Sequence, residues 1–133
     1  MNQPFRHPSV DAVLAIHAEV LKAHGGSPGL RSRELLESAV AAPQASIMGE
    51  PLIKDAIEIA AAYLYYLCSN HAFVDGNKRV ALATCLVFLN EHGLLPNETL
   101  DIEPWETLAL AVAASALERH EVTAVLRTLL DCK

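Results

Sequence analysis

The chain has 133 residues, of which 52% are hydrophobic and only 5% aromatic, with a mean hydropathy of +0.25. That length suits a single domain over residues 1–133, burying roughly 68% of its unfolded surface, and the Ala- and Leu-rich mix favours close-packed helices over sheets. Ten Lys and Arg against sixteen Asp and Glu give a net charge of −6, and no Lys/Arg run occurs, which argues against nucleic acid and anionic membrane as principal partners.

The N-terminal MNQPFRHPSV has no hydrophobic signal core, and no apolar stretch reaches the roughly 20 residues of a membrane span. A cytoplasmic protein is expected, with its three cysteines, Cys68, Cys85 and Cys132, reduced. Val10, Val13, Leu14, His17 and Leu21 form one stripe and predict a first helix over 9–24, terminated by Gly25 and Gly26. GGSPGLRS then reads as a tight loop, with Ser32 as N-cap of a short helix ending before Pro43. Residues 43–52, PQASIMGEPL, read as an exposed loop. Ile53, Ile57, Ala60, Leu64, Leu67 and His71 follow at steps of three and four, marking a long helix. Asp75-Gly76 is a turn signal, and a further helix covers 77–92, closed by Gly93. After the irregular LLPNETLDIE, Pro104 suits the first turn of a helix over 104–118, and a last helix covers 121–131. The sum is a compact all-α fold of about six helices with no strand.

Residues 71–79, HAFVDGNKR, carry the chemistry. The start of a helix presents unpaired N–H groups and a partial positive charge, so a cation in that turn costs about 0.3–1 kcal/mol. Here Lys78 and Arg79 stand side by side where a helix built for stability would place Asp or Glu. A bound anion reconciles them, and phosphate is favoured because Arg grips it with two hydrogen bonds and Lys as a point charge. Gly76 and Asn77 let its oxygens approach the backbone. Asp75 beside an anion site then calls for a divalent cation, since Mg²⁺ binds through one or two carboxylates plus phosphate oxygens. His71 is the candidate general base, Asp75 the metal ligand, and Gly76, Asn77, Lys78 and Arg79 the anion cradle. These are the parts of a phosphoryl- or nucleotidyl-transfer site. Taken singly, each residue also has a plainer reading: His71 as a helix C-cap, Asp75 as a turn residue, Lys78 as a solvated charge.

HAFVDGNKR resembles the Doc form of the Fic/Doc family signature, H-x-F-x-D-G-N-K-R. Fic enzymes proper have a second glycine where Lys78 stands. The likeness continues through AEVLKAHGGSPGLRSRELLESAVAAPQ to LVFLNEHG and weakens after residue 95 or so. It implies a Fic-fold helical bundle and a transferase using ATP and Mg²⁺ on a protein hydroxyl. In Doc-like proteins the γ-phosphate is transferred; in G-N-G enzymes it is AMP. By position, His71, Asp75, Lys78 and Arg79 would be catalytic, with Asp75 on the metal and Gly76, Asn77, Lys78 and Arg79 on the nucleotide. The resemblance also implies a toxin that blocks translation by phosphorylating a Ser or Thr, with elongation factor Tu as target. Its antitoxin would lay a C-terminal helix across the toxin's groove. An AMP transferase and a catalytically idle binding module are the rival readings. Ala72, where relatives often have proline, and Val80, where many have threonine, depart from the pattern.

Other residues have weaker functional readings. The 43–52 loop corresponds to the flap that in Fic enzymes receives the target as an added strand. Gly25, Gly26, Gly29 and Arg31 suggest an anion nest, although a structural turn is the favoured reading, with Arg31 within reach of the site. His17 reads as a hydrogen-bonded core histidine, Phe73 as an inward anchor of the turn, and Trp105 as core. No histidine pair has zinc-binding helical spacing. Ser46/Glu50 and Thr99/Glu103 have the spacing of a self-inhibitory helix, but a proline follows each.

Overall fold

The computed structural model describes residues 5–96 and 100–131, and six helices account for most of them. α1 (Val10–His24) starts at Ser9, whose hydroxyl accepts the Ala12 N–H, and stops at Gly25, whose N–H returns to the Leu21 carbonyl. α2 (Arg33–Ala41) is capped likewise by Ser32 on the Leu35 N–H and runs into one 3-10 turn, Ala42–Gln44. α3 (Ala56–Asn70) begins at Asp55, which accepts the Glu58 N–H. Each of these caps satisfies a donor that the helix itself leaves open. α4 (Asn77–Glu91), α5 (Glu103–Ala113, Pro104 in its first turn) and α6 (Arg119–Asp131) complete the set.

α3 is the axis of the molecule. Ile59, Ala60, Ala61, Ala62, Tyr63 and Leu64 are all 0% exposed, and a helix apolar round its whole circumference must be surrounded. It is enclosed by α2, α4, α5 and α6, while α1 packs on α4. Trp105 and Phe73 are buried as expected, and so are the free thiols of Cys68 and Cys85. Burial pushes the Cys68 thiol up to about 12, against a smaller opposing effect of the Lys78 charge, so it stays protonated. Cys132 lies outside the described residues. No helix among the described residues is long and apolar enough to cross a membrane.

The structure departs from the sequence expectations at element ends and in one loop. Residues expected to hold no strand form a minimal hairpin, β1 (Ser46–Ile47) and β2 (Glu50–Pro51), with Ser46 opposite Pro51 and Ile47 opposite Glu50. Its tip, Met48-Gly49, takes positive φ at both residues (52° and 81°), the geometry a two-residue hairpin turn demands. The glycine and prolines that read as loop are therefore also hairpin chemistry. Ser46 and Glu50 thus lie on paired strands and not on an inhibitory helix, and Thr99 lies outside the described residues. α5 stops at Ala113, short of 118, because Ser115 turns left-handed (φ 61°). α6 starts early, at Arg119, because the Glu121 carboxylate reaches back to the Glu118 N–H at 2.8 Å.

Candidate active site

The turn between α3 and α4 is held by its backbone from end to end. The His71 carbonyl accepts a fork from the Arg31 guanidinium, Nε at 2.8 Å and Nη2 at 2.5 Å. The Ala72 carbonyl accepts the N–H groups of Arg31 (2.7 Å) and Ser32 (3.0 Å). Phe73 donates its N–H to Asn77 Oδ1 and accepts Asn77 Nδ2 on its carbonyl, both at 2.9 Å. The Val74 N–H donates to the Gly29 carbonyl at 3.0 Å. His17 Nε2 lies 2.8 Å from the Asp75 carbonyl and must donate to it, because a carbonyl has no proton to give. These partners come from α1, the 25–32 loop and the first residue of α4.

His71 leaves α3 in left-handed backbone (φ 52°, ψ 50°), a position glycine usually fills. For a residue with a side chain this costs on the order of 1–3 kcal/mol and persists only where the surroundings over-determine it. The clamps on His71, Ala72 and Phe73 do so. The apolar stripe of α3 therefore ends at Leu67, and His71 is exposed instead of continuing it.

α4 opens unlike the three helices before it. Gly76 stands at its N-cap with φ 79°, no side chain caps the helix, and its first turn holds no acidic residue. The Asn77 amide is committed at both ends to Phe73, so Asn77 brings its N–H to the helix start. Lys78 and Arg79 follow, the first partly buried and the second exposed. The left-handed φ is what favours glycine at position 76, since a Cβ there would meet its nearest neighbour, His17 Nε2, only at 3.4 Å.

Asp75 is exposed, with Oδ2 accepting the Ser27 N–H (3.0 Å) and Oδ1 the Gly76 N–H (2.8 Å). The Ser27 N–H first, and then that of Gly76, hold its carboxyl below the usual range; desolvation opposes them, and the charges of Arg79 and His17 add smaller effects in the lowering sense. Each oxygen takes one donor and keeps a further lone pair. Among the described residues no three His, Cys, Asp or Glu side chains converge as a metal cage. A single carboxylate with lone pairs to spare suits an ion held also by phosphate oxygens and water, as Mg²⁺ is.

A cavity of about 450 Å³ lies beside the start of α4, with Lys78 and Arg79 on its wall together with Val20, Leu82, Leu86 and Leu110. A neighbouring cavity of about 440 Å³ shares Val20, His24 and Ala83 with it, so the two form one apolar trough along α1 and α4. His71 and Asp75 line neither. The cation pair thus stands where the polar turn meets an apolar trough.

Residues 7–89 match the family model described as the Fic/DOC family. The chain belongs to the Fic/Doc family. It is 38% identical over 104 residues to "Toxin Doc" of Mycolicibacterium smegmatis, covering 78% of this chain and 80% of that protein. It is 31% identical over 124 residues to "Protein kinase doc" of Escherichia phage P1, covering 93% and 95%. Within the Fic/Doc family it is Doc-like, with Lys78 in place of the second glycine, and its compact helical bundle is consistent with the Fic fold. Of its two departures, Val80 is fully buried and so faces the core, and Ala72 is buried with its carbonyl doubly bonded, a restraint that does not need proline.

Four residues support this candidate site in ways the sequence does not specify, although Arg31 was expected within its reach. His17 is the expected core histidine, 5% exposed, but it also stacks on Phe73 (ring centroids 3.8 Å apart, 12° between planes) and grips the turn at Asp75. Ser27 supplies an N–H to the Asp75 carboxylate, and Gly26 must be glycine because a Cβ there would meet Asp75 Oδ2 at 2.9 Å. Arg31 supports the backbone of His71. In the 25–32 loop the N–H groups of Ser27, Arg31 and Ser32 go to residues 72 and 75, which agrees with the structural-turn reading of that segment.

Proposed function

We propose that this Doc-like chain is a cytoplasmic kinase toxin that uses Mg²⁺-ATP to phosphorylate a Ser or Thr hydroxyl of a translation factor, with elongation factor Tu the first candidate. The observation that carries the reading is the start of α4. α1, α2 and α3 each open on a Ser or Asp side chain, whereas α4 opens on a left-handed glycine followed by two cations. Open N–H groups, helix dipole and both charges point the same way, and phosphate oxygens are the ligand that satisfies all of them.

The roles follow from placement. The N–H groups of Asn77, Lys78 and Arg79 cradle the phosphates, with Arg79 able to make a bidentate grip and Lys78 adding a point charge. The exposed imidazole of His71, at the other end of the same turn, accepts the proton of the attacking hydroxyl. Asp75 would hold Mg²⁺, whose charge offsets that of the β- and γ-phosphate oxygens. Lys78 in place of a second glycine supports phosphate over AMP transfer, because a side chain at that position would block one mode of seating the nucleotide phosphates. The names of the two relatives, a toxin and a protein kinase, agree with this reading.

The trough fits a partner antitoxin. Apolar walls with Lys78 and Arg79 at one end suit an amphipathic helix that lays its apolar face on Val20, Leu82 and Leu86 and brings a carboxylate to the cations. A helix seated there would cover the charges that hold phosphate, linking partner binding to inhibition.

The test is the mass of the target. The purified chain is incubated with Mg²⁺-ATP and elongation factor Tu, and the factor is weighed intact. A gain the size of one phosphate is expected, slowed by about 10²–10⁴-fold in His71→Ala. An AMP-sized gain would select the alternative transfer, and no gain on any translation factor from folded protein would leave a binding module.

A further inference from the structure

We infer that Arg31 is a positioning residue for His71, an inference that rests on His71 being the base. Arg31 acts on two successive peptide planes. Its guanidinium fork holds the His71 carbonyl, and its own backbone N–H holds the Ala72 carbonyl at 2.7 Å. The first plane sets ψ of His71, and φ is already confined to the left-handed region at 52°. With both torsions held, the direction in which the imidazole leaves the backbone is set as well.

A helix end needs no such device for stability alone. His71 and Arg31 are both exposed, so water could satisfy that carbonyl. The planar fork supplies direction that water and lysine do not, since an ammonium is a point donor on a flexible stem. Alanine at position 31 removes the side chain beyond Cβ, guanidinium included, and spares the two backbone bonds to Ala72, so the substitution separates the fork from the backbone ties of the loop. Arg31 is 40 residues from its acceptor in sequence, and nothing in the HAFVDGNKR string refers to it.

The test compares Arg31→Ala, Arg31→Lys and His71→Ala in the full chain with Mg²⁺-ATP and elongation factor Tu. For Arg31→Ala, kcat is expected to fall by about 10- to 100-fold, the scale of a misplaced catalytic group. KM for ATP is expected to stay within about twofold, because phosphate binding is untouched. Added guanidinium ion restores part of the rate in Arg31→Ala and none in His71→Ala, and Arg31→Lys falls between wild type and Arg31→Ala. The backbone order parameter of His71, about 0.85 in the wild type, drops below about 0.6 in Arg31→Ala while the centres of α3 and α4 stay rigid. A kcat unchanged in Arg31→Ala, or one lost only in proportion to unfolded protein, overturns the inference. If the wild-type chain transfers nothing, the kinase reading fails separately and the order parameter decides the positioning claim: an unchanged value at His71 overturns it.

Discussion

At Asp75 one carboxylate meets two demands. Its oxygens accept the N–H groups of Ser27 and Gly76, tying the 25–32 loop to the start of α4, and the same group is the candidate Mg²⁺ ligand. Those donors favour the ionised form, so the carboxyl titrates below its ordinary value of about 3.9. For an acid with a depressed folded pKa, the tie is fully present above the unfolded pKa and is lost as pH falls through the folded one. In metal-free protein the amide resonances of Ser27 and Gly76 are therefore expected to titrate together, with a midpoint below about 3.9. A midpoint at or above that value would show that the two bonds do not hold the carboxylate. At neutral pH the group is charged, as a metal ligand must be. Asp75 was legible as a candidate because it stands inside a nine-residue string. Its dependence on Ser27, 48 residues earlier, was not, and neither were the grips of Arg31 and His17, 40 and 58 residues from their partners. Hydrogen bonds of that sequence separation exist only once the elements have docked.

Among the elements, α4 starts without the side-chain cap and the acidic first turn that α1, α2 and α3 have. Ser32 was readable as a cap because the serine and the amide it meets are three residues apart. The same local logic marks the start of α4 as wrong for a helix that only has to fold, and this made the site visible. Gly76→Ala tests the geometry. The left-handed φ of 79° penalises a side chain there, while the space beside His17 Nε2 would admit a methyl group at 3.4 Å. A loss of more than about 1 kcal/mol is expected in urea unfolding, with nucleotide binding weakened as the cradle shifts. Stability equal to wild type would mean that position 76 needs no glycine. The hairpin at Ser46–Ile47 and Glu50–Pro51 is the element that periodicity could not find, since two-residue strands are too short to show alternation.

At the scale of the whole molecule, a buried α3 carries the turn, α1 and the 25–32 loop brace it, and an apolar trough opens beside it. The fold class was legible because Ala- and Leu-rich periodicity is a property of long segments; the trough was not, because it is made by α1, α4 and α5 together. Net charge of −6 makes Lys78 and Arg79 local exceptions on an acidic chain, so an anion bound there is held by the site and not by the protein's overall field. We propose that the start of α4 is built for nucleotide phosphate, which a titration with Mg²⁺-ATP, following every backbone amide by NMR, puts to the test. The largest shifts are expected at Gly76, Asn77, Lys78 and Arg79, with Arg79→Ala weakening binding by about tenfold or more, the loss of a charged hydrogen bond. Shifts confined to residues outside the turn and the trough, or affinity unchanged in Arg79→Ala, would contradict it.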